Sequence, residues 1–176
     1  MTPRRTASRA VRATTAAAVL AVLTAGCSQS ASHGDSGSDA SASADLVQSD
    51  GPGHASVKGP GIDLSVTNAV AHLDAAGNGT LTMTVHNGDG VTEHLGMVGT
   101  PDAGRGTLVA GKGLTDGSLS NAGILLMPGS TVTFGGDGPT VRLTAVHGVT
   151  AAHTLPVILE FGVARLVHVS ARVSST

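Results

Sequence analysis

From Ile62 onward the apolar residues of this chain recur at every second position, in short runs that end in glycine-rich turns. A two-residue period is the mark of a strand with one buried face, because successive side chains leave a pleated backbone on opposite sides. Ile62, Leu64 and Val66 alternate with polar neighbours, and Thr80 to His86 repeats the pattern with Leu81, Met83 and Val85 on one face. Asn87-Gly88-Asp89-Gly90 is a strong turn signal, after which Glu93 to Val98 returns as a strand. Further runs fall at about Gly106 to Val109, Ile124 to Met127, Thr131 to Phe134, Thr140 to Val146, Leu155 to Phe161 and Ala164 to Val173. The run Gly135-Gly136-Asp137-Gly138-Pro139 separates two of them and cannot sit inside a strand or helix. In the last strand Val167, Val169, Ala171 and Val173 face one way, and His168, Ser170 and Arg172 the other. No segment after Ile62 carries a helical period, so the expected fold is an all-β sandwich or barrel of about eight strands.

The N-terminus obeys different rules. Arg4, Arg5, Arg9 and Arg12 form a basic region, Thr14 to Leu23 an apolar one, and Thr24-Ala25-Gly26-Cys27 supplies small residues where a signal peptidase cuts. The apolar run is too short to span a bilayer. The stretch ending in Cys27 resembles the bacterial lipobox, with Leu23 one position earlier than usual, which implies that the thiol of Cys27 is diacylglycerylated before cleavage. Cys27 is the sole cysteine, so an internal disulfide is excluded. Each buried acyl CH₂ contributes about 0.8 kcal/mol, and two or more chains anchor a protein stably. The expected organisation is a lipoprotein signal peptide with its helix over 1–26, a flexible tether over 27–60 and a β-domain over 61–176, held on the outer face of the cell membrane. The tether is rich in Ser, Ala, Gly and Asp, a composition that buries too little apolar surface to offset chain entropy. His33 and His54 fall within it and read as incidental.

Removing the four signal arginines leaves six Lys and Arg against twelve Asp and Glu, a charge of −6. Such a chain has no electrostatic footprint for nucleic acid. Phe134 and Phe161 are its only aromatic residues, which excludes stacking platforms for bases or sugars. Catalysis has no support either. Glu93 and Glu160 are the only glutamates, and no nucleophile elbow, phosphate loop or zinc-protease motif is present. The chain reads as a non-enzyme.

The segment from Leu81 to Val173 resembles the extracytoplasmic copper-chaperone family PCu(A)C. Met83-Thr84-Val85-His86-Asn87-Gly88 is similar to the family's first strand and turn, and Leu95 through Pro101-Asp102-Ala103-Gly104-Arg105 to its second. Met127-Pro128-Gly129-Ser130-Thr131-Val132 is similar to the turn before a later strand, and Leu155 to Phe161 with the valine-rich strand after it to the closing hairpin. The resemblance implies a cupredoxin-like Greek-key fold and a Cu(I) site built from His and Met, donors that suit a soft ion. Carried over by position, the family's first His falls at Val109, a mid-loop Met near Leu119 to Asn121, and a His-x-Met pair at Thr140 and Arg142. None of these is a ligand for Cu(I).

The remaining metal candidates are histidines. His86 and His94 flank the Asn87 to Glu93 turn and would lie side by side across a hairpin, with Glu93 adjacent as a carboxylate for Zn or Cu(II). His147 and His153 bracket a later turn, whereas His72 and His168 have little company in sequence. Met83, Met97 and Met127 stand at strand positions and read as core filler. The expectation is a membrane-anchored binding module of copper-chaperone-like fold without the standard copper site and with no confident cofactor, acting on an envelope protein or a metal partner. The alternative is a copper-homeostasis metallochaperone that uses a non-standard histidine site.

Overall fold

Ile62–Leu73 is a twelve-residue strand, longer than any apolar alternation in the sequence, because one irregularity lets it serve two sets of neighbours. Its register with the next strand shifts between Thr67 and Val70, and Asn68 within that shift has φ +54°. Asn tolerates the left-handed region better than most residues, so the one extra residue is absorbed here. The computed structural model describes residues 46–48, 50–112 and 116–175. The expected signal peptide, Cys27 with its expected lipidation, His33 and the expected tether up to residue 45 lie outside the described residues.

The described strands, in chain order, are β1 (Leu46–Gln48), β2 (Ala55–Gly59), β3 (Ile62–Leu73), β4 (Gly79–Asn87), β5 (Glu93–Thr100) and β6 (Gly104–Val109). They continue with β7 (Leu119–Ser120), β8 (Gly123–Leu126), β9 (Thr131–Phe134), β10 (Thr140–Leu143), β11 (Thr154–Phe161) and β12 (Arg165–Ser175). Seven of them close a barrel, in the order β3, β12, β11, β5, β6, β10, β4 and back to β3. Every pairing in the ring is antiparallel except β3 with β12, whose Arg172 to Ser175 runs parallel to Val70 to Leu73. The chain crosses between non-neighbouring positions from β4 to β5 and from β10 to β11, the Greek-key arrangement. The other strands hang on the ring: β1 and β2 on β3, β9 on β4, and β8 with β7 on β5.

The inward faces follow the alternation. Leu64, Val66, Leu81, Met83, Val85, Val167, Val169 and Ala171 are all buried, and both phenylalanines lie in the same core. Between them stand Leu95, Ile124, Leu155 and Leu159, an aliphatic core that suits a pleated surface. Three expectations change. There are twelve described strands instead of about eight, since β1 and β7 are too short to leave a periodic trace. Residues 55–59, read as tether, form β2, with Ala55 and Val57 buried against β3. Two apolar residues between Pro and Gly are too few to register as a period, and the partner strand supplies what the sequence lacks. Finally, Met83 is core but Met127 is exposed and Met97 only half-buried on the outer wall.

Gly53 fills the gap that the irregularity in β3 leaves. Its N–H donates to the Ser170 carbonyl at 2.7 Å, and its own carbonyl accepts from the Ala69 N–H at 3.0 Å. One residue thereby bridges β12 and β3 just where their direct ladder ends. It has φ +83°, and a Cβ there would stand 3.1 Å from the Ala69 carbonyl oxygen and 3.2 Å from the Arg172 Nε. Gly53→Ala is therefore expected to lose about 1–2 kcal/mol in urea unfolding. Gly90→Ala, at a position with open space and no positive φ, should leave the midpoint unchanged.

Candidate functional site

Three of the positions carried over from the copper family share the contact between β6 and β10. Thr140 is the direct partner of Val109 across β10 and β6, and Arg142 faces Thr107 two residues along. Val109 and Thr140 are half-buried, and Arg142 is exposed. Leu119, Ser120 and Asn121 are exposed on β7 and the turn that follows it. An alkyl group, a hydroxyl and a guanidinium meet there. None offers sulfur or imidazole to a soft ion.

His86 and His94 do not face one another across a hairpin. β4 pairs with β3, β9 and β10, whereas β5 pairs with β6, β8 and β11. The turn between them is a Greek-key crossing held by Asn87, which is 1% exposed. The Asn87 side-chain amide donates to the carbonyls of Val91 (2.8 Å), Leu126 (3.2 Å) and Met127 (3.4 Å), and its oxygen accepts from Asp89 N–H. His86 lies beside β9, with Nδ1 3.0 Å from both the Ser130 carbonyl and the Thr131 hydroxyl.

Glu93, the carboxylate expected beside these histidines, points inward and is 3% exposed. Its Oε1 accepts from Ala164 N–H at 2.6 Å, and both oxygens accept from Val163 N–H, at 3.2 and 3.0 Å. His94 N–H donates to Oε2 at 3.2 Å. The carboxylate thus binds the backbone of the β11–β12 turn and is not free for a metal. The other pair, His147 and His153, is exposed on the connection from β10 to β11. His153 has φ +53°, with its N–H donating to the Thr150 carbonyl and its carbonyl accepting from Val173 N–H. Among the described residues, no three of His, Cys, Asp and Glu gather to hold a metal ion.

A different group meets on the outer wall. In β5 the ladder to β11 pairs Leu95 with Phe161 and Met97 with Glu160, so Gly96 is an extra residue. Leu95 and Val98, three apart, are both fully buried, and the Met97 side chain between them turns outward. This bulge puts His94 and Met97 on the same face, although three residues of regular strand would put them on opposite faces. Both line an open cleft of about 290 Å³ together with Glu160, Arg105, Gly96 and Gly162. Glycine at 96 keeps the cleft open on one side, since a Cβ there would stand 3.3 Å from the Ala122 carbonyl oxygen. The sequence did carry a trace of this site: two large apolar residues spaced by three break the two-residue period.

No protein-family model matches the chain, and no curated protein matches it. Solved structures do. The copper-bound PCuAC domain from PmoF2 is 21% identical over 64% of this chain and 93% of that one, with a TM-score of 0.50. The apo PCuAC domain from PmoF1 is 22% identical over 64% of this chain and 94% of that one, with a TM-score of 0.52. The apo PmoF2 PCuAC domain is 20% identical over 64% and 90%, with a TM-score of 0.52. The likeness is one of fold: this barrel has the PCuAC, cupredoxin-like architecture.

Because the Glu93 carboxylate satisfies backbone donors that would otherwise be buried unpaired, Glu93→Ala is expected to cost about 2–4 kcal/mol in chemical denaturation. Glu93→Gln, which retains one acceptor oxygen, should lose less. Equal stability of wild type and Glu93→Ala would show that the turn does not need the carboxylate.

Proposed function

We propose that this PCuAC-fold barrel is the binding module of a lipid-anchored extracytoplasmic protein, and that it binds without catalysing and without copper at the family's standard positions. The observation that carries this reading is the meeting of Val109 with Thr140 across β6 and β10, beside an exposed Arg142. The positions where the resemblance places thioether and imidazole hold instead an alkyl group, a hydroxyl and a fixed positive charge. A guanidinium stays protonated at any physiological pH and opposes a cation at close range.

The anchor is supported by the sequence. The basic region at Arg4 to Arg12, the apolar run to Leu23 and the small residues before Cys27 have the layout of a lipoprotein signal. Lipid on Cys27 would place the barrel at the outer face of the membrane, with an envelope protein or a metal ion as its partner. The chain's negative balance after the signal argues against nucleic acid.

Expression of the full chain in a bacterium fed labelled fatty acid tests the anchor. Wild type should carry label and partition into detergent, whereas Cys27→Ser should be unlabelled and partition into the aqueous phase. Unlabelled wild-type protein in the aqueous phase would overturn the anchor. On the binding side, metal affinity of the full chain should be unchanged by Val109→Ala or Thr140→Ala. A loss with either would return the standard positions to use.

A further inference from the structure

Three turns gather at one end of the barrel, and each carries a large apolar side chain into solvent. Val91 stands in the crossing from β4 to β5, Met127 in the turn from β8 to β9 and Val163 in the turn from β11 to β12, all exposed. Polar side chains that face inward hold these turns together. The Asn87 amide donates to the carbonyls of both Val91 and Met127, so one nitrogen joins two of them. Glu93, opposite Leu126 in the β5–β8 ladder, accepts from Val163 N–H and joins the third. Asp116 accepts from Met127 N–H at 2.7 Å. With these polar groups engaged behind them, the turns present aliphatic tips.

The chain enters the barrel at the same end. Leu46, the first residue of β1, pairs with Lys58, and Lys58 pairs with Asp63 on β3. The Asp63 carbonyl in turn accepts from Gly88 N–H at 2.7 Å, three residues before Val91. β1 runs away from that end, Gln48 pairing with Ser56, so the residues before Leu46 lead back toward it. Cys27 is nineteen positions before Leu46. A chain of that length spans at most about 65 Å, so lipid on Cys27 would keep a bilayer within reach of the three turns. A contact too weak to form between free partners then becomes intramolecular.

We infer that this end of the barrel is a membrane-contact face, on which Val91, Met127 and Val163 enter the interfacial layer of a lipid bilayer. Clustered apolar side chains exposed on a folded domain mark a contact surface. The charges there select its kind. Lys58 is paired with Asp63, and Asp89 and Asp116 stand in or against the same turns, so no excess positive charge faces anionic headgroups. Apolar contact with a neutral lipid surface fits this end; electrostatic capture does not. The contact rests on the proposed anchor, because three side chains bury too little area to hold a bilayer that is not already close.

The test couples Cys27, the sole cysteine, of the purified full chain to a maleimide lipid in phosphatidylcholine nanodiscs, which supplies the anchor whether or not a cell does. Doxyl-labelled lipid then broadens the NMR methyl signals of side chains that touch the bilayer. The reference is Val149, exposed at the opposite end beside Leu73 and Val173, where β3 and β12 finish. The methyls of Val91, Met127 and Val163 are expected to lose several-fold more intensity than those of Val149, at low and high salt alike. The combined variant Val91→Ser, Met127→Ser and Val163→Ser should abolish that difference at the serine-bearing turns, read from their amide signals. It should keep the thermal midpoint of the wild type, because the turn contacts are made by backbone atoms. Equal broadening at both ends, broadening that salt removes, or none would each overturn the face. Failed fatty-acid labelling of Cys27 in cells would remove the anchor and leave this measurement intact, whereas unbroadened signals on the coupled chain would remove the contact and leave the anchor.

Discussion

The barrel depends on one strand that pairs along both edges and changes partner midway. The first half of β3 lies between β2 and β4, and its second half between β12 and β4. A straight strand could not make that exchange, because two neighbours would compete for one edge. The irregularity between Thr67 and Val70, with Asn68 in the left-handed region, swings the edge from one neighbour to the other. Gly53 then completes the hydrogen bonding at the junction, linking Ser170 to Ala69. Without the parallel β3–β12 contact the ring would be an open sheet with exposed edges.

A second use of the same device makes the cleft. Gly96 is an extra residue in β5 as one residue near Asn68 is in β3, and each re-aims the side chains that follow it. In β3 the result is closure; in β5 it is a histidine and a methionine on one outer face. Glu93 and Asn87 hold the surroundings still. Glu93 fixes the turn from β11 to β12, and Asn87 ties the crossing between β4 and β5 to β8. These are the polar side chains the core accepts most deeply, and both bind backbone, which explains why neither is free to act on a ligand.

Much of the architecture was legible in the alternation of apolar residues. The inward faces of β4, β11 and β12 follow it directly, and collinear turns pointed to the PCuAC fold that the solved structures share. What was not legible has a common cause. Strand β2 presents only Ala55 and Val57 to the core, too few to form a period. The His86–His94 juxtaposition failed because adjacency in sequence does not reveal a Greek-key crossing. Glu93 read as a ligand because its inward direction is set by a turn seventy residues away. Met97 read as core because a strict two-residue period was extended through Gly96, where the pairing slips by one.

The consequence for function sits at the β6–β10 contact, where Val109, Thr140 and Arg142 offer a metal neither sulfur nor imidazole. The most direct measurement is an NMR titration of the full chain with Ag(I), following the signals of Val109, Thr140 and Arg142. The account predicts that these signals stay unmoved through one equivalent of the ion. Saturating movement of Val109 and Thr140 would contradict it.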